Sequence, residues 1–106
     1  MNGKVLVIGL GLIGGSIALA IKKEHPNASI IGYDINTQQA KLAKSLKVID
    51  EFCENYDVEA TDADFIVISV PVMQANEVLK HLSGITFTKP QVVITDVGST
   101  KNSITN

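Results

Sequence analysis

Residues 5–14, Val5-Leu6-Val7-Ile8-Gly9-Leu10-Gly11-Leu12-Ile13-Gly14, decide the fold of this chain. The first four are apolar without polar alternation, which is typical of a strand buried on both faces of a parallel sheet. The glycines at 9, 11 and 14 have the G-x-G-x-x-G spacing, and a helix is predicted to follow from Ser16 to Lys23. A buried strand, a glycine turn and a helix in this order indicate a dinucleotide-binding turn.

Each residue of this turn has an expected role. Gly9 would take the tight turn, Gly11 would let the backbone approach a pyrophosphate, and Gly14 would let the helix pack closely on the strand. The backbone amides of Leu12 and Ile13, at the positive end of the helix, would face the phosphate charge. The alternative is a glycine-rich turn between strand and helix that binds no ligand.

The rest of the chain continues the alternation of strands and helices. The predicted elements are a strand Ser29–Asp34, a helix from Asn36 or Thr37 to Leu46, a short strand and a loop within 48–64, a strand Phe65–Val70, a helix from about Gln74 to Leu82, a strand Val92–Val97, and a turn at Gly98-Ser99-Thr100 that begins another helix. This order predicts an α/β fold, a Rossmann-type doubly wound parallel sheet with helices on both faces. We expect residues 1–106 to form a single, truncated domain, because the next piece of a six-stranded nucleotide-binding fold is missing.

Asp34 ends the second predicted strand, about twenty residues beyond the glycine turn, where an acid accepts hydrogen bonds from the adenine ribose hydroxyls. Its carboxylate would repel a 2′-phosphate, and Ile35-Asn36-Thr37 offers no cation to compensate. The sequence therefore predicts NAD as the cofactor in preference to NADP. The alternative role of Asp34 is that of a helix-capping or turn aspartate.

Two further segments are expected at the same edge of the sheet, where ligands of open α/β sheets lie. Ser69, Val70 and Pro71 end the fourth strand and are predicted to line the cofactor, although Pro71 could simply end the strand. Residues 96–101, Asp-Val-Gly-Ser-Thr-Lys, could hold an anion or polarise a substrate, with a helix cap by Ser99 as the alternative.

Composition argues against several other classes of function. Charged residues make up 19% of the chain, the net charge is −2 and no basic cluster is visible, so we expect neither nucleic-acid nor membrane binding. The single cysteine, Cys53, is expected to be a small, partly buried side chain, and it agrees with a reducing cytoplasm. His25 and His81 fall near predicted helix C-termini, which favours a structural role. No metal site is expected.

Four segments together resemble the prephenate and arogenate dehydrogenases of tyrosine biosynthesis. They are Val7 to Ser16, Gly32-Tyr33-Asp34, Ala63 to Val72, and Thr95 to Lys101. The last segment and the Gly-Gly-Ser after the glycine turn are the more particular to this family. The resemblance implies oxidation of prephenate at its ring hydroxyl carbon, with hydride passed to NAD and carbon dioxide lost, to give 4-hydroxyphenylpyruvate.

The resemblance also assigns residues and partners. Gly9, Gly11, Leu12, Ile13 and Gly14 match the pyrophosphate turn, Asp34 the ribose acid, Ser69 to Pro71 the cofactor-lining loop, and Ser99 a catalytic serine near the nicotinamide and the substrate hydroxyl. The family's catalytic histidine, substrate-binding arginine and helical dimerisation domain match no residue of this chain. We therefore expect NAD binding without turnover, and a cytoplasmic homodimer for the longer protein.

Three alternatives remain open at this point. One is a preference for arogenate over prephenate as the small-molecule substrate. Another is a related NAD-dependent β-hydroxyacid or imine-forming dehydrogenase, which the Asp96 to Lys101 segment disfavours. The third, from a different class, is a nucleotide-sensing domain that binds NAD or a nucleotide without chemistry.

Overall fold

A computed structural model describes residues 3–70, 72–87 and 92–96, with the side chains at 12, 13, 72, 73 and 96 outside the description. Its strands are β1 Lys4–Ile8, β2 Ser29–Tyr33, β3 Glu51–Phe52, β4 Phe65–Ile68 and β5 Val93–Asp96, and its helices are α1 Leu12–Glu24, α2 Thr37–Ser45, α3 Tyr56–Ala60 and α4 Val72–Ser83.

The strands form one parallel sheet in the order β3-β2-β1-β4-β5. β1 pairs with β2 on one side and with β4 on the other, so the order of the strands reverses at β1. In open α/β sheets the ligand crevice lies at such a reversal, outside the carboxyl ends of the strands. The predicted Rossmann-type parallel sheet is therefore confirmed.

Helices cover both faces of the sheet. Alternate residues of each strand point to opposite sides, so each face has its own core. Val5 and Val7 of β1 pack in a core with residues of α1 and α2, including Ala18 and Ala40. Leu6 and Ile8 pack in a second core, whose helical members are Tyr56, Ala60, Ala75, Val78 and Leu82 of α3 and α4. This double burial explains why β1 carries no polar residue between Val5 and Ile8.

Several predicted boundaries were wrong. α1 begins at Leu12 rather than Ser16, because helical hydrogen bonding starts within the glycine turn, where the N–H of Gly15 donates to the carbonyl of Gly11 (2.8 Å). β4 ends at Ile68 rather than Val70, since its pairing with β1 ends where β1 turns at Gly9. The segment predicted as a short strand and a loop contains β3 but also α3, which Asn55 caps by accepting a hydrogen bond from the N–H of Asp57.

The turn and helix start predicted at Gly98-Ser99-Thr100 lie outside the described residues. Within the described ranges, no helix is both long enough and apolar enough to span a membrane.

Candidate functional site

The glycine turn begins at Gly9, whose backbone has a φ of 97°. The N–H of Gly9 donates to the carbonyl of Tyr33 (2.7 Å), which continues the pairing of β1 with β2. A Cβ at position 9 would lie 2.8 Å from Val70 Cγ1 and would overlap the carbonyl oxygen of Ser69. Both the left-handed backbone and the lack of space therefore require glycine here.

Gly11 and Gly14 serve different purposes. A Cβ on Gly14 would collide with the carbonyl oxygen of Gly9, so this glycine permits the close approach of α1 to the turn. A Cβ on Gly11 would meet nothing within 4 Å, which means that open space lies in front of the start of α1. At the start of the helix, the N–H of Gly15 donates to the carbonyl of Gly11 (2.8 Å). The N–H groups of Leu12 and Ile13, the first two helical residues, have no intrahelical partner and can bind an anion.

Asp34 follows β2 and links the glycine turn to the start of α2. One carboxylate oxygen accepts from the N–H of Leu10 and the other from the N–H of Asn36, each at 2.8 Å. Asp34 therefore has the predicted role of a turn aspartate. The helix cap of α2 is Asn36 instead, whose side chain accepts a hydrogen bond from the N–H of Gln38 (3.0 Å). A carboxylate offers about four acceptor positions, so each oxygen can also accept a ribose hydroxyl.

These residues meet at a cleft of about 470 Å³ beyond the carboxyl ends of β1, β2 and β4. Its lining comprises Ile8, Gly9, Gly11, Tyr33, Asp34, Ile35, Tyr56, Ser69, Val70, Gln74, Glu77, Val78 and His81. Of the residues predicted to bind the cofactor, Gly9, Gly11, Asp34, Ser69 and Val70 therefore lie on one cleft. Pro71 and Ser99 lie outside the described residues.

Sequence reasoning missed the wall of this cleft formed by α3 and α4. Tyr56 of α3 is buried, and its hydroxyl hydrogen-bonds Nδ1 of His81 (2.7 Å). Tyr33 packs edge-on against Tyr56, with ring centroids 4.9 Å apart. Burial, followed by nearby charges such as Asp57, raises the pKa of Tyr56 to about 12, so its hydroxyl stays protonated near neutral pH. The helical spacing of Gln74, Val78 and His81 was the available signal.

The two histidines and the cysteine singled out by the sequence lie in different surroundings. His81 lies in the last turn of α4, as predicted, but it also lines the cleft. His25 is the C-cap residue of α1, and its N–H donates to the carbonyl of Ile21 (2.7 Å). Cys53 is a half-buried free thiol, and burial together with the charge of Glu59 raises its pKa to about 11. A thiol with so high a pKa is a poor nucleophile at neutral pH.

Comparison with known proteins identifies the family. The family model for the prephenate dehydrogenase nucleotide-binding domain matches residues 17–106. This chain belongs to the family of prephenate dehydrogenase nucleotide-binding domains. Within that family, the chain is similar to the prephenate dehydrogenase of Bacillus subtilis (strain 168), with 46% identity over 106 residues, which is 98% of this chain and 28% of the relative. The resemblance inferred from the four sequence segments is thus confirmed.

Solved structures of prephenate and arogenate dehydrogenases share the fold. A prephenate dehydrogenase from A. aeolicus, in complex with hydroxyphenyl propionate and NAD+, superposes with a TM-score of 0.79 at 34% identity over 91% of this chain and 33% of that one. The arogenate dehydrogenase of Synechocystis superposes with a TM-score of 0.76 at 26% identity over 89% of this chain and 32% of that one. The chain therefore spans about a third of the length of these relatives.

Proposed function

We propose that this chain binds NAD in the cleft at the glycine turn and is the cofactor-binding domain of a prephenate dehydrogenase. The observation that carries the proposal is the placement of Asp34. Its carboxylate holds the glycine turn through Leu10 and the start of α2 through Asn36, and it faces the same cleft as Gly11. An acid in this position accepts the ribose hydroxyls of NAD and repels the 2′-phosphate of NADP.

The pyrophosphate would lie in the open space at Gly11, where the N–H groups of Leu12 and Ile13 would donate to it. The chain contains no arginine, so backbone N–H groups and the helix dipole carry more of the phosphate binding. Ser69 and Val70 form the adjoining wall of the cleft, and we propose that Pro71 extends it.

For the longer protein we propose oxidative decarboxylation of prephenate. NAD supplies the hydride acceptor, and Ser99 is proposed to lie near the nicotinamide and to contact the substrate hydroxyl. Arogenate, which gives the Synechocystis relative its name, is the second candidate substrate. Steady-state assays of the longer protein with each substrate distinguish the two candidates by kcat/KM. We also propose a cytoplasmic homodimer, whose assembly light scattering would measure.

Calorimetric titration of the chain with NAD and with NADP tests the cofactor assignment. We expect NAD to bind at least about tenfold more tightly than NADP, because one unfavourable charge contact at the ribose costs on the order of 1.4 kcal/mol. Asp34→Asn should reduce this preference by removing the charge. Glu24→Gln, an exposed change at the far end of α1, is the matched control and should leave the preference unchanged. Tighter binding of NADP than of NAD would refute the assignment.

A further inference from the structure

One face of α4 borders the cleft beyond Asp34. Gln74, Glu77, Val78 and His81 all line the cleft, and their spacing of three and four residues places them on the same side of the helix. Ile35, after β2, and Val70, after β4, line the same cleft. If the phosphates occupy the glycine turn and the ribose occupies Asp34, this is the part of the cleft left for the adenine base.

The polar groups on this face differ in how they are engaged. His81 is held by the hydroxyl of Tyr56, so its Nδ1 is already hydrogen-bonded. The carboxylate of Glu77 and the amide of Gln74 form no hydrogen bond or ion pair with any residue in the described part of the chain. Burial raises the pKa of Tyr56 most, and the charge of Glu77 also raises it, so the carboxylate lies in the neighbourhood of Tyr56. Glu77 and Gln74 are therefore the polar side chains of this face with no group already engaged within the described part of the chain, whereas His81 has only Nε2 left.

We propose that Glu77 reads the 6-amino group of the adenine base and so makes the cleft selective for adenine dinucleotides. This inference rests on the proposed binding of NAD in the same cleft. Ile35, Val70 and Val78 supply the apolar contacts to the base, and these contacts do not depend on its exocyclic groups.

The selectivity follows from the donor and acceptor capacity of the two side chains. An ionised carboxylate has acceptors and no donors, so it pairs with an amino group and repels a 6-oxo group. The amide of Gln74 carries both an acceptor and donors, and it can turn to suit either base. Glu77 can thus discriminate between the bases, whereas Gln74 can only strengthen the binding of both.

The experiment compares NAD with nicotinamide hypoxanthine dinucleotide, in which an oxo group replaces the 6-amino group of the base and N1 carries a hydrogen. A carboxylate positioned at the 6-amino group loses its donor and faces the oxo group in this analogue. Calorimetry of the unmodified chain is expected to give about tenfold tighter binding of NAD, the size of one hydrogen bond to a charged group at a partly exposed site. Glu77→Gln should reduce the ratio to about twofold or less, because the new amide can pair with either base. Gln74→Ala should weaken both dinucleotides alike and keep the ratio, and Glu24→Gln should change neither affinity.

Equal affinity of the unmodified chain for the two dinucleotides would overturn the role of Glu77 while leaving NAD binding intact. A tenfold ratio that persists in Glu77→Gln would overturn it as well. If neither dinucleotide binds, the proposed function fails, and the inference that rests on it fails too. Circular dichroism of each variant confirms its fold, and the ratio of two affinities within one variant is independent of a partial loss of active protein.

Discussion

Replacing Gly9 by alanine is expected to destabilise the domain, whereas the same change at Gly11 should leave it nearly as stable. Gly9 has a φ of 97°, a conformation in which an L-residue costs about 1–2 kcal/mol or more. The added Cβ would also overlap the carbonyl of Ser69 at the end of β4, and relief of such overpacking costs about 1–3 kcal/mol. The two costs together give an expected loss of about 2–5 kcal/mol in the free energy of unfolding.

The control at Gly11 separates the stability of the turn from the space that it leaves for a ligand. Gly11 has a φ of −72°, and its Cβ would meet nothing within 4 Å, so alanine costs less than about 1 kcal/mol at this N-cap position. The same Cβ would, however, occupy the space proposed for the pyrophosphate. Gly11→Ala should therefore weaken NAD binding by about tenfold or more while the domain remains folded.

Urea unfolding followed by circular dichroism measures the loss of stability in Gly9→Ala, and calorimetry with NAD measures the loss of affinity in Gly11→Ala. A loss of 2 kcal/mol corresponds to a decrease of roughly 8–16 °C in the melting temperature of a domain of this size. The reasoning would be refuted if Gly9→Ala were as stable as the unmodified chain, or if Gly11→Ala were destabilised equally.

Three further predictions concern titratable groups. Asp50 accepts a hydrogen bond from Lys22 Nζ (2.9 Å). Burial alone would raise the pKa of Asp50, but its hydrogen bonds to Ile30 and Lys22 outweigh burial and lower the pKa below 3.8. The contribution of Asp50 to the free energy of unfolding is therefore present above pH 3.8 and is lost as the pH falls through the lowered pKa. Because the side chains of Lys22 and Asp50 are 34% and 41% exposed, Asp50→Asn should remove less than about 1 kcal/mol of acid-dependent stability in urea titrations at pH 2–5. An unchanged slope of the free energy of unfolding against pH would contradict this. The thiol of Cys53, with a pKa of about 11 against 9.0, should react with iodoacetamide about a hundredfold more slowly in the folded chain than in urea, and equal rates would argue against its burial. Tyr56→Phe should abolish a phenolate absorbance step near pH 12 and lower the stability by about 1 kcal/mol through loss of the hydrogen bond to His81, whereas persistence of that step would exclude Tyr56 as its source.

The sequence predicted those features of the fold that depend on continuous local patterns. Val5 to Ile8 and Ile66 to Ile68 are buried on both faces of the sheet, and such strands are recognisable because they lack polar alternation. The position of Asp34 at the cleft was predictable for a related reason, since the carboxyl ends of parallel strands meet at one edge of the sheet.

Two features could not be predicted from local pattern. α3 has five residues, Tyr56–Ala60, which is too short to display helical periodicity, and Tyr56 was consequently not expected in the core. The contribution of Glu77 and His81 to the cleft depends on how α4 is rotated against the sheet, a property set by the packing of Val78 and Leu82 in the core.

The central claim is that the glycine turn and Asp34 together bind one NAD molecule, and an NMR titration of the ¹⁵N-labelled chain with NAD tests it most directly. We predict saturable shifts concentrated in the backbone amides of Gly11, Leu12 and Ile13, because the pyrophosphate is proposed to lie at the start of α1. The amides of Leu10 and Asn36, which donate to Asp34, should shift with them at the same dissociation constant. Saturable shifts confined to another surface, or no saturable shift at millimolar NAD, would contradict the account.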